Sequence, residues 1–207
     1  MKLFPNPKTL IFSKEKMNSQ KISKVTSSFD EHFNNLLYQM FEVNQKEGIP
    51  LMIEKSDDIT NYEGYKLKIE KEVITIIAKQ PNGAFYGLLT LRDILNSDNQ
   101  LCLEIEDYPD LAVRGVMLDI SRSKVPTLDT LKKLVVMFAT LRYNHLELYI
   151  EGFSFEYQSF KHLLSDNNYL CLQDYLELEK FAQEYYIDFV PNQNGFGHMS
   201  DWLAQDE

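Results

Sequence analysis

The stretch 113–126, VRGVMLDISRSKVP, constrains the fold of this chain more than any other. Its first half is a short apolar run that lacks the three-to-four-residue period of a helix. The run ends in a polar cluster of Asp119, Ser121 and Arg122. This order is typical of a strand that is buried on both faces and then passes into a loop. It predicts the first strand of a parallel sheet.

The pattern after this strand alternates between helix and strand. Apolar residues recur every three or four positions from Leu128 to Leu141, which predicts an amphipathic helix. Apolar runs at 145–151 and 187–192 predict two more strands, and residues 178–185 form a second helical stripe between them. These βα units could begin an open doubly wound sheet or a (β/α)8 barrel. A barrel needs about 250 residues, so we expect any barrel here to be cut short.

Residues 1–106 show a different order of elements. Apolar or alternating runs predict strands at 8–13, 51–54, 65–70, 73–78 and 101–105. One helix is expected after Ser27 or Ser28, and a second from 82 to 95, where Gly83 and Gly87 share a face that can pack closely against a sheet. These elements predict an α+β unit with one sheet and both helices on one face. Asp107–Asp110 is then a linker to a second domain at 111–207.

The composition limits the cellular compartments and the kinds of partner that can be expected for this chain. The net charge of −10 argues against nucleic acid or an anionic membrane as a partner. Two cysteines cannot form a disulfide framework, and prolines interrupt the N-terminus where a signal peptide needs an apolar stretch. No run approaches the roughly 20 apolar residues that span a bilayer. We therefore expect a cytoplasmic protein.

Polar side chains gather at the predicted strand ends. In addition to the 119–122 cluster, they include Glu147, Glu151, the amides at 192–194 and His198, with an aromatic loop at 152–157. Carboxylates and amides bind hydroxyls, and aromatic rings cover the apolar faces of sugars, so the pattern favours a neutral polyhydroxylated ligand. Other interpretations remain open: Asp119 as a turn cap, Arg122 as a surface residue and His198 as a core histidine.

Several kinds of site are not indicated by the sequence. His145 and His162 have no partners at metal-ligand spacing, and we interpret them as structural. The segment Gly195-Phe-Gly197 lacks the third glycine and the helix of a dinucleotide-binding motif, and no phosphate loop is present. We expect neither a metal nor a cofactor.

Longer motifs resemble a known family. Residues 63–69 and 84–91 resemble the helper domain that precedes the barrel in family 20 glycoside hydrolases, the β-N-acetylhexosaminidases. Residues 114–126 resemble the first barrel strand of that family, while 143–151 and 190–198 fall where its second and third strands fall. The resemblance implies an α+β helper domain followed by the first three βα units of a truncated (β/α)8 TIM barrel.

The resemblance also implies a mechanism. In the family, the substrate's own 2-acetamido oxygen attacks the anomeric carbon, and the configuration is retained. An adjacent Asp-Glu pair at the end of the fourth strand orients the acetamide and protonates the leaving oxygen. By the family's order that pair falls beyond Glu207, so no catalytic residue is assigned here. Asp206-Glu207 follows the third strand too closely for the role.

Three residues receive roles by motif match. Arg114 corresponds to an arginine that binds sugar hydroxyls. Glu151 occupies the place of an aspartate that pairs with a histidine, and His198 matches that histidine; together they would support the catalytic acid. The chain departs from the pattern at Glu151, at Leu148, where a histidine is usual, and at Asn192 and Asn194, where acids are usual.

The resemblance predicts an exo-β-N-acetylhexosaminidase acting on terminal β-linked N-acetylglucosamine or N-acetylgalactosamine, with the 207-residue chain alone inactive. Two alternatives stay open. The chain could belong to another TIM-barrel glycosidase with the same helper domain, or it could be a non-catalytic fragment that binds sugar or a partner chain.

Overall fold

The structure, a computed structural model, describes residues 2–43, 46–121, 124–164 and 168–205. The chain divides into two compact units, Met1–Asp110 and Leu111–Glu207. Within the described residues, no helix combines the length and the apolar character needed to cross a membrane.

The first unit is built on a six-stranded mixed sheet. Its strands are β1 (Thr9–Lys16), β2 (Ile22–Ser27), β3 (Ile49–Lys55), β4 (Tyr65–Ile69), β5 (Ile74–Ala78) and β6 (Leu101–Asp107), and their spatial order is β1-β6-β4-β5-β3-β2. β4 and β5, which correspond to the strands predicted at 65–70 and 73–78, pair antiparallel, whereas β2, β3 and β5 run parallel. The unit is an α+β fold.

Helix α2 (Pro81–Leu95) packs on this sheet through its two glycines. A Cβ atom on Gly83 would lie 2.6 Å from the carbonyl oxygen of Gly64, and one on Gly87 would lie 2.9 Å from Cγ2 of Ile76. Side chains at either position would push the helix away from the strands. The predicted close approach is confirmed.

The first helix and the strand before it differ from the sequence prediction. Helix α1 (Glu31–Met40) begins after Asp30, whose side chain accepts a hydrogen bond from the backbone N–H of Phe33. Asp30, rather than Ser27 or Ser28, is therefore the N-cap. Strand β2 was not predicted. It lies at the sheet edge and pairs only with β3 among the described strands, so its sequence, ISKVTS, contains few apolar residues.

The second unit contains three parallel strands in sequential order. These are β7 (Gly115–Asp119), β8 (His145–Ile150) and β9 (Asp188–Gln193), and they are followed respectively by α3 (Leu128–Thr140), α4 (Leu172–Glu184) and the short α5 (Ser200–Leu203). Thr127 caps α3 by accepting from the N–H of Thr130. The predicted alternation of strands and helices is present.

The two faces of this sheet differ in polarity. Leu146, Leu148 and Ile150 of β8 are fully buried on one face, whereas His145 and Glu147 lie half-buried on the other. Strand β7 was predicted to be buried on both faces, and this is wrong. Met117 is 61% exposed, because β7 is an edge strand and its polar-side face is open in the described chain.

Candidate functional site

An acid and a histidine meet beyond the carboxyl ends of β8 and β9. Glu151 follows β8 directly, and its side chain is 10% exposed. Its Oε1 atom lies 3.4 Å from Nε2 of His198, which follows β9. The structure therefore brings together the two residues to which the resemblance gives a shared role.

Two further side chains extend this contact into a chain of hydrogen bonds. The hydroxyl of Tyr149 donates to Oε1 of Glu151 at 2.6 Å, and Nδ2 of Asn194 donates to the same hydroxyl at 2.7 Å. Glu151 thus has two neighbours on a single oxygen. We name the set Glu151, His198, Tyr149 and Asn194 the strand-end cluster.

Strand register and loop conformation produce the cluster. β8 and β9 pair in parallel, with Tyr149 opposite Asn192, so the residues after both strands emerge side by side. The loop after β9 then folds back, because Oδ1 of Asn194 accepts from the N–H of Gly197 at 3.0 Å. His198 itself has φ of 56°, a left-handed conformation. These features place the imidazole ring of His198 next to the Glu151 carboxylate.

A second polar group lies on the same sheet, within β8 and β9 rather than beyond their carboxyl ends. Oε1 of Glu147 lies 2.9 Å from Nε2 of His145, and Oε2 accepts from Nδ2 of Asn192 at 2.9 Å. The hydrogen bond with His145 and, to a smaller extent, the one from Asn192 lower the pKa of the Glu147 carboxyl. The sequence predicted a structural role for His145, and in the structure this residue orients the Glu147 carboxylate. Asn192, one of the residues that depart from the family pattern, donates a hydrogen bond to the second oxygen of that carboxylate.

Asp119 at the end of β7 forms a local turn. Its Oδ1 atom accepts from the backbone N–H of Ser121 at 2.8 Å and from that residue's hydroxyl at 2.6 Å. These two bonds are those of an Asx-type turn. They agree with the interpretation of Asp119 as a turn cap. Arg122 lies outside the described residues.

Arg114 lies at the opposite end of β7 from the strand-end cluster. Its Nε donates to the carbonyl of Arg142 at 2.8 Å, and Nη1 donates to that of Leu111 at 2.7 Å. Its backbone N–H donates to Oδ1 of Asn144. The guanidinium thus binds backbone carbonyls at the amino end of the sheet. Its role as a sugar ligand stays a prediction, and this position gives that role no support.

An aromatic cluster follows β8 and surrounds the single tryptophan. The ring of Trp202 lies 4.5 Å from Phe153, 5.2 Å from Phe160 and 5.9 Å from Tyr157, measured between centroids. These rings come from the loop after β8 and from α5. Three of these rings, those of Tyr157, Phe160 and Trp202, line a cavity of about 750 Å³ beside the end of β9.

Glu156 anchors this loop to the start of α4. Its side chain is 8% exposed, lies 2.5 Å from Nζ of Lys161 and accepts from the N–H of Leu172 at 3.0 Å. The hydrogen bond from Lys161 and, to a smaller extent, the one from the backbone N–H of Leu172 lower the pKa of the Glu156 carboxyl. Backbone bonds between 154–156 and Leu170 close the loop.

Three residues of this region were not predicted as site residues from the sequence: Tyr149, Glu156 and Trp202. Tyr149 shares a sheet face with Glu147 by the period of two, which could have indicated it. Nothing local marks Glu156, whose partners are 5 and 16 residues away. Within the described ranges, no group of three or more His, Cys, Asp and Glu side chains could hold a metal ion.

The fold combines an α+β unit with a unit of parallel strands and helices, and its candidate site brings an acid, a histidine, a hydroxyl and an amide together. Residues 1–108 match the family model of glycosyl hydrolase family 20, domain 2. The chain therefore belongs to glycosyl hydrolase family 20, as the sequence motifs predicted.

Individual proteins agree with this membership. The chain is 33% identical over 99 residues to a beta-hexosaminidase of Porphyromonas gingivalis, which covers 42% of this chain and 13% of that protein. It is 27% identical over 158 residues to beta-hexosaminidase subunit A2 of Dictyostelium discoideum, covering 68% of this chain and 28% of that one. The chain thus spans less than a third of either relative.

A solved structure shows the same fold. The beta-N-acetylhexosaminidase of Bacteroides fragilis superposes with a TM-score of 0.81 at 20% identity, over 99% of this chain and 47% of that one. The fold of this chain is therefore that of the corresponding part of this solved structure.

Proposed function

We propose that these 207 residues form the helper domain and the first three βα units of a (β/α)8 barrel in an exo-β-N-acetylhexosaminidase. One observation carries the proposal: in a chain of family 20, Glu151 and His198 meet at the carboxyl ends of adjacent parallel strands. Barrel enzymes build their active sites at that end. The substrate would be terminal β-linked N-acetylglucosamine or N-acetylgalactosamine.

In the proposed reaction, the substrate's acetamide oxygen attacks the anomeric carbon and water later opens the cyclic intermediate. The carboxylates that orient the acetamide and protonate the leaving oxygen would come from residues after Glu207. Glu151 and His198 would act as positioning residues that hold the acid through hydrogen bonds and set its proton affinity. The longer Glu151 side chain already reaches His198 with support from Tyr149.

The proposal is tested by assaying two proteins with an aryl β-N-acetylglucosaminide. The protein encoded by the whole reading frame should release the aryl group, and the 207-residue chain should not. Loss of either the general acid or substrate orientation costs orders of magnitude in rate. Clear turnover by the 207-residue chain would show that the acid lies within it.

The proposal includes a cytoplasmic location. The two cysteines are free thiols, Cys102 buried and Cys171 half-buried, which is consistent with a reducing compartment. Burial raises the pKa of the Cys102 thiol and keeps it unreactive. Activity found in the periplasmic or secreted fraction of the source cells would contradict this location.

A further inference from the structure

The side-chain amide of Asn194 has a fixed orientation. Its Oδ1 atom accepts from the backbone N–H groups of Phe196 at 3.3 Å and Gly197 at 3.0 Å. Backbone N–H groups can only donate, so the oxygen faces them and the NH2 group faces the other way. There its Nδ2 atom lies 2.7 Å from the hydroxyl oxygen of Tyr149. The loop after β9 therefore decides which end of the amide meets Tyr149.

The amide orientation in turn directs the hydroxyl proton of Tyr149. An NH2 group can only donate, so the hydroxyl oxygen accepts from Asn194 and its single proton points elsewhere. Oε1 of Glu151 lies 2.6 Å away and accepts that proton. The distance is typical of a hydroxyl bound to an ionised carboxylate. A donor chain therefore runs in one direction, from Asn194 through Tyr149 to Glu151.

The same carboxylate oxygen faces the imidazole ring of His198, with 3.4 Å between Oε1 and Nε2. An ionised carboxylate has no proton to donate, so the ring nitrogen that faces it carries one. In the neutral ring, Nδ1 is then left as an acceptor. The donor chain reaches the histidine because it holds Glu151 in the ionised, accepting state.

We propose that Tyr149 and Asn194 are positioning residues of the strand-end cluster. Through the donor chain they hold Glu151 as an acceptor in one orientation, and Glu151 in turn keeps the proton of His198 on Nε2. The effect on turnover rests on the proposed function, in which Glu151 and His198 support the catalytic acid. Tyr149 and Asn194 act through these two neighbours and not on the substrate.

The donor chain also links two of the departures from the family pattern. An acid, which is usual in the place of Asn194, would accept from the Tyr149 hydroxyl and take its proton away from Glu151. The amide of Asn194 leaves that proton to the carboxylate. Asn194 and Glu151 therefore belong together in this chain, with Tyr149 as the connection.

Two near-isosteric changes test the donor chain in the whole-reading-frame protein. Tyr149→Phe removes the hydroxyl, while Asn194→Asp keeps an acceptor for the loop N–H groups and replaces the NH2 donor with an oxygen. Each should lower kcat on an aryl β-N-acetylglucosaminide by about fivefold or more, the factor that corresponds to one hydrogen bond. KM should stay within about twofold, because neither side chain binds substrate. The alkaline limb of the kcat–pH profile should move as well.

Tyr62→Phe is the matched control, since Tyr62 lies in the first unit and is 63% exposed. It should leave kcat and the pH profile unchanged. Circular dichroism shows whether each variant folds. If Asn194→Asp does not fold, Asn194→Ser takes its place, because it also removes the NH2 donor. Parental kcat and pH profile in the folded Tyr149→Phe enzyme would overturn the proposal.

A double-mutant cycle shows whether Asn194 acts through Tyr149. In the Tyr149→Phe background no hydroxyl proton is left to redirect, so Asn194→Asp should lose most of its effect on kcat. An undiminished effect in that background would mean that the amide acts by another route, and it would overturn the donor chain.

The proton on His198 is measured without catalysis. Long-range proton–nitrogen NMR spectra of the 207-residue chain, labelled at histidine, distinguish the two ring nitrogens, and His198→Ala identifies the signal. In the neutral ring Nε2 should carry the proton, and a proton on Nδ1 would overturn the donor chain even in an active enzyme. If Nε2 carries it but the whole-reading-frame protein hydrolyses no β-N-acetylhexosaminide, the proposed function fails and the donor chain stands.

Discussion

Nε2 of His198 lies 3.4 Å from the same Glu151 oxygen that accepts the Tyr149 hydroxyl at 2.6 Å. Tyr149 belongs to β8, whereas His198 reaches the carboxylate from the loop after β9. The carboxylate thus has a fixed partner on its own strand and a second partner whose position depends on the neighbouring strand's loop. Removing the histidine should alter the site without removing the carboxylate.

We expect His198→Ala to lower kcat of the whole-reading-frame protein by about ten- to hundredfold, by analogy with the loss of a hydrogen-bond partner behind a metal ligand. The alkaline limb of the kcat–pH profile should also move, because the proposed general acid acts only when protonated and loses part of the network that sets its proton affinity. A pH-rate series on purified variants measures both effects.

His32→Ala is the matched control for that series. His32 is exposed on α1, in the first unit. Its replacement should leave kcat and the pH profile unchanged. If the His198→Ala enzyme kept the parental kcat and pH profile, the Glu151–His198 pair would have no role in supporting the catalytic acid.

Arg114→Met should lower the free energy of unfolding of the chain by roughly 1–3 kcal/mol, since the carbonyls of Arg142 and Leu111 lose their donors. Arg92→Met is the control, because Arg92 makes a partly exposed contact of 3.6 Å with the adjacent Asp93, and such a surface ion pair contributes little to stability. Urea titration compares the two. Unchanged stability together with a raised KM in the whole-reading-frame protein would support the sugar-binding role.

The motif match places Arg114 at the start of the first strand, so a role as a sugar ligand requires its long side chain to reach the opposite end of the sheet. The motif identified the strand, but the strand's direction decides which end carries the chemistry. Arg114 precedes β7, whereas the cluster follows β8 and β9. Periodicity predicted most helices and strands of both units. It missed β2, because an edge strand with one neighbour needs few apolar residues.

The contacts of the site depend on tertiary pairing, which sequence spacing does not contain. Glu147 and Asn192 are 45 residues apart and meet only because β8 and β9 pair in parallel register. The same register aligns the loops that carry Glu151 and His198. Only the resemblance indicated that second pair before the structure did.

Gly83→Ala should destabilise the first unit by about 1–3 kcal/mol, since its Cβ would lie 2.6 Å from a backbone oxygen that cannot rotate away. Asp93→Ala, on the exposed side of the same helix, should change stability by less than about 0.5 kcal/mol. Thermal unfolding followed by circular dichroism measures both. Equal melting temperatures for the two variants would show that α2 can move away from the sheet at no cost.

Glu156→Gln should destabilise the second unit in a pH-dependent way. The pKa of Glu156 is lowered in the folded chain, so its ionised form stabilises the fold above the unfolded value of about 4.3. That contribution is lost as the pH falls through the lower folded value. The difference in melting temperature between parent and variant should therefore be present at pH 7 and shrink below pH about 4.

Asp129→Asn is the control for this prediction. Asp129 pairs with Lys133 on α3, with both side chains more than 70% exposed (77% and 75%). Its replacement should change the melting temperature little at any pH. A pH-independent difference for Glu156→Gln would mean that the Lys161 and Leu172 contacts do not depend on its charge.

The stereochemistry of hydrolysis by the whole-reading-frame protein tests the central claim most directly. Proton NMR during hydrolysis of an aryl β-N-acetylglucosaminide identifies the first-formed anomer of the released sugar. Substrate-assisted retaining catalysis predicts β-N-acetylglucosamine first, followed by slower mutarotation. Release of the α-anomer first, or no hydrolysis of β-linked N-acetylhexosamines at all, would contradict the account.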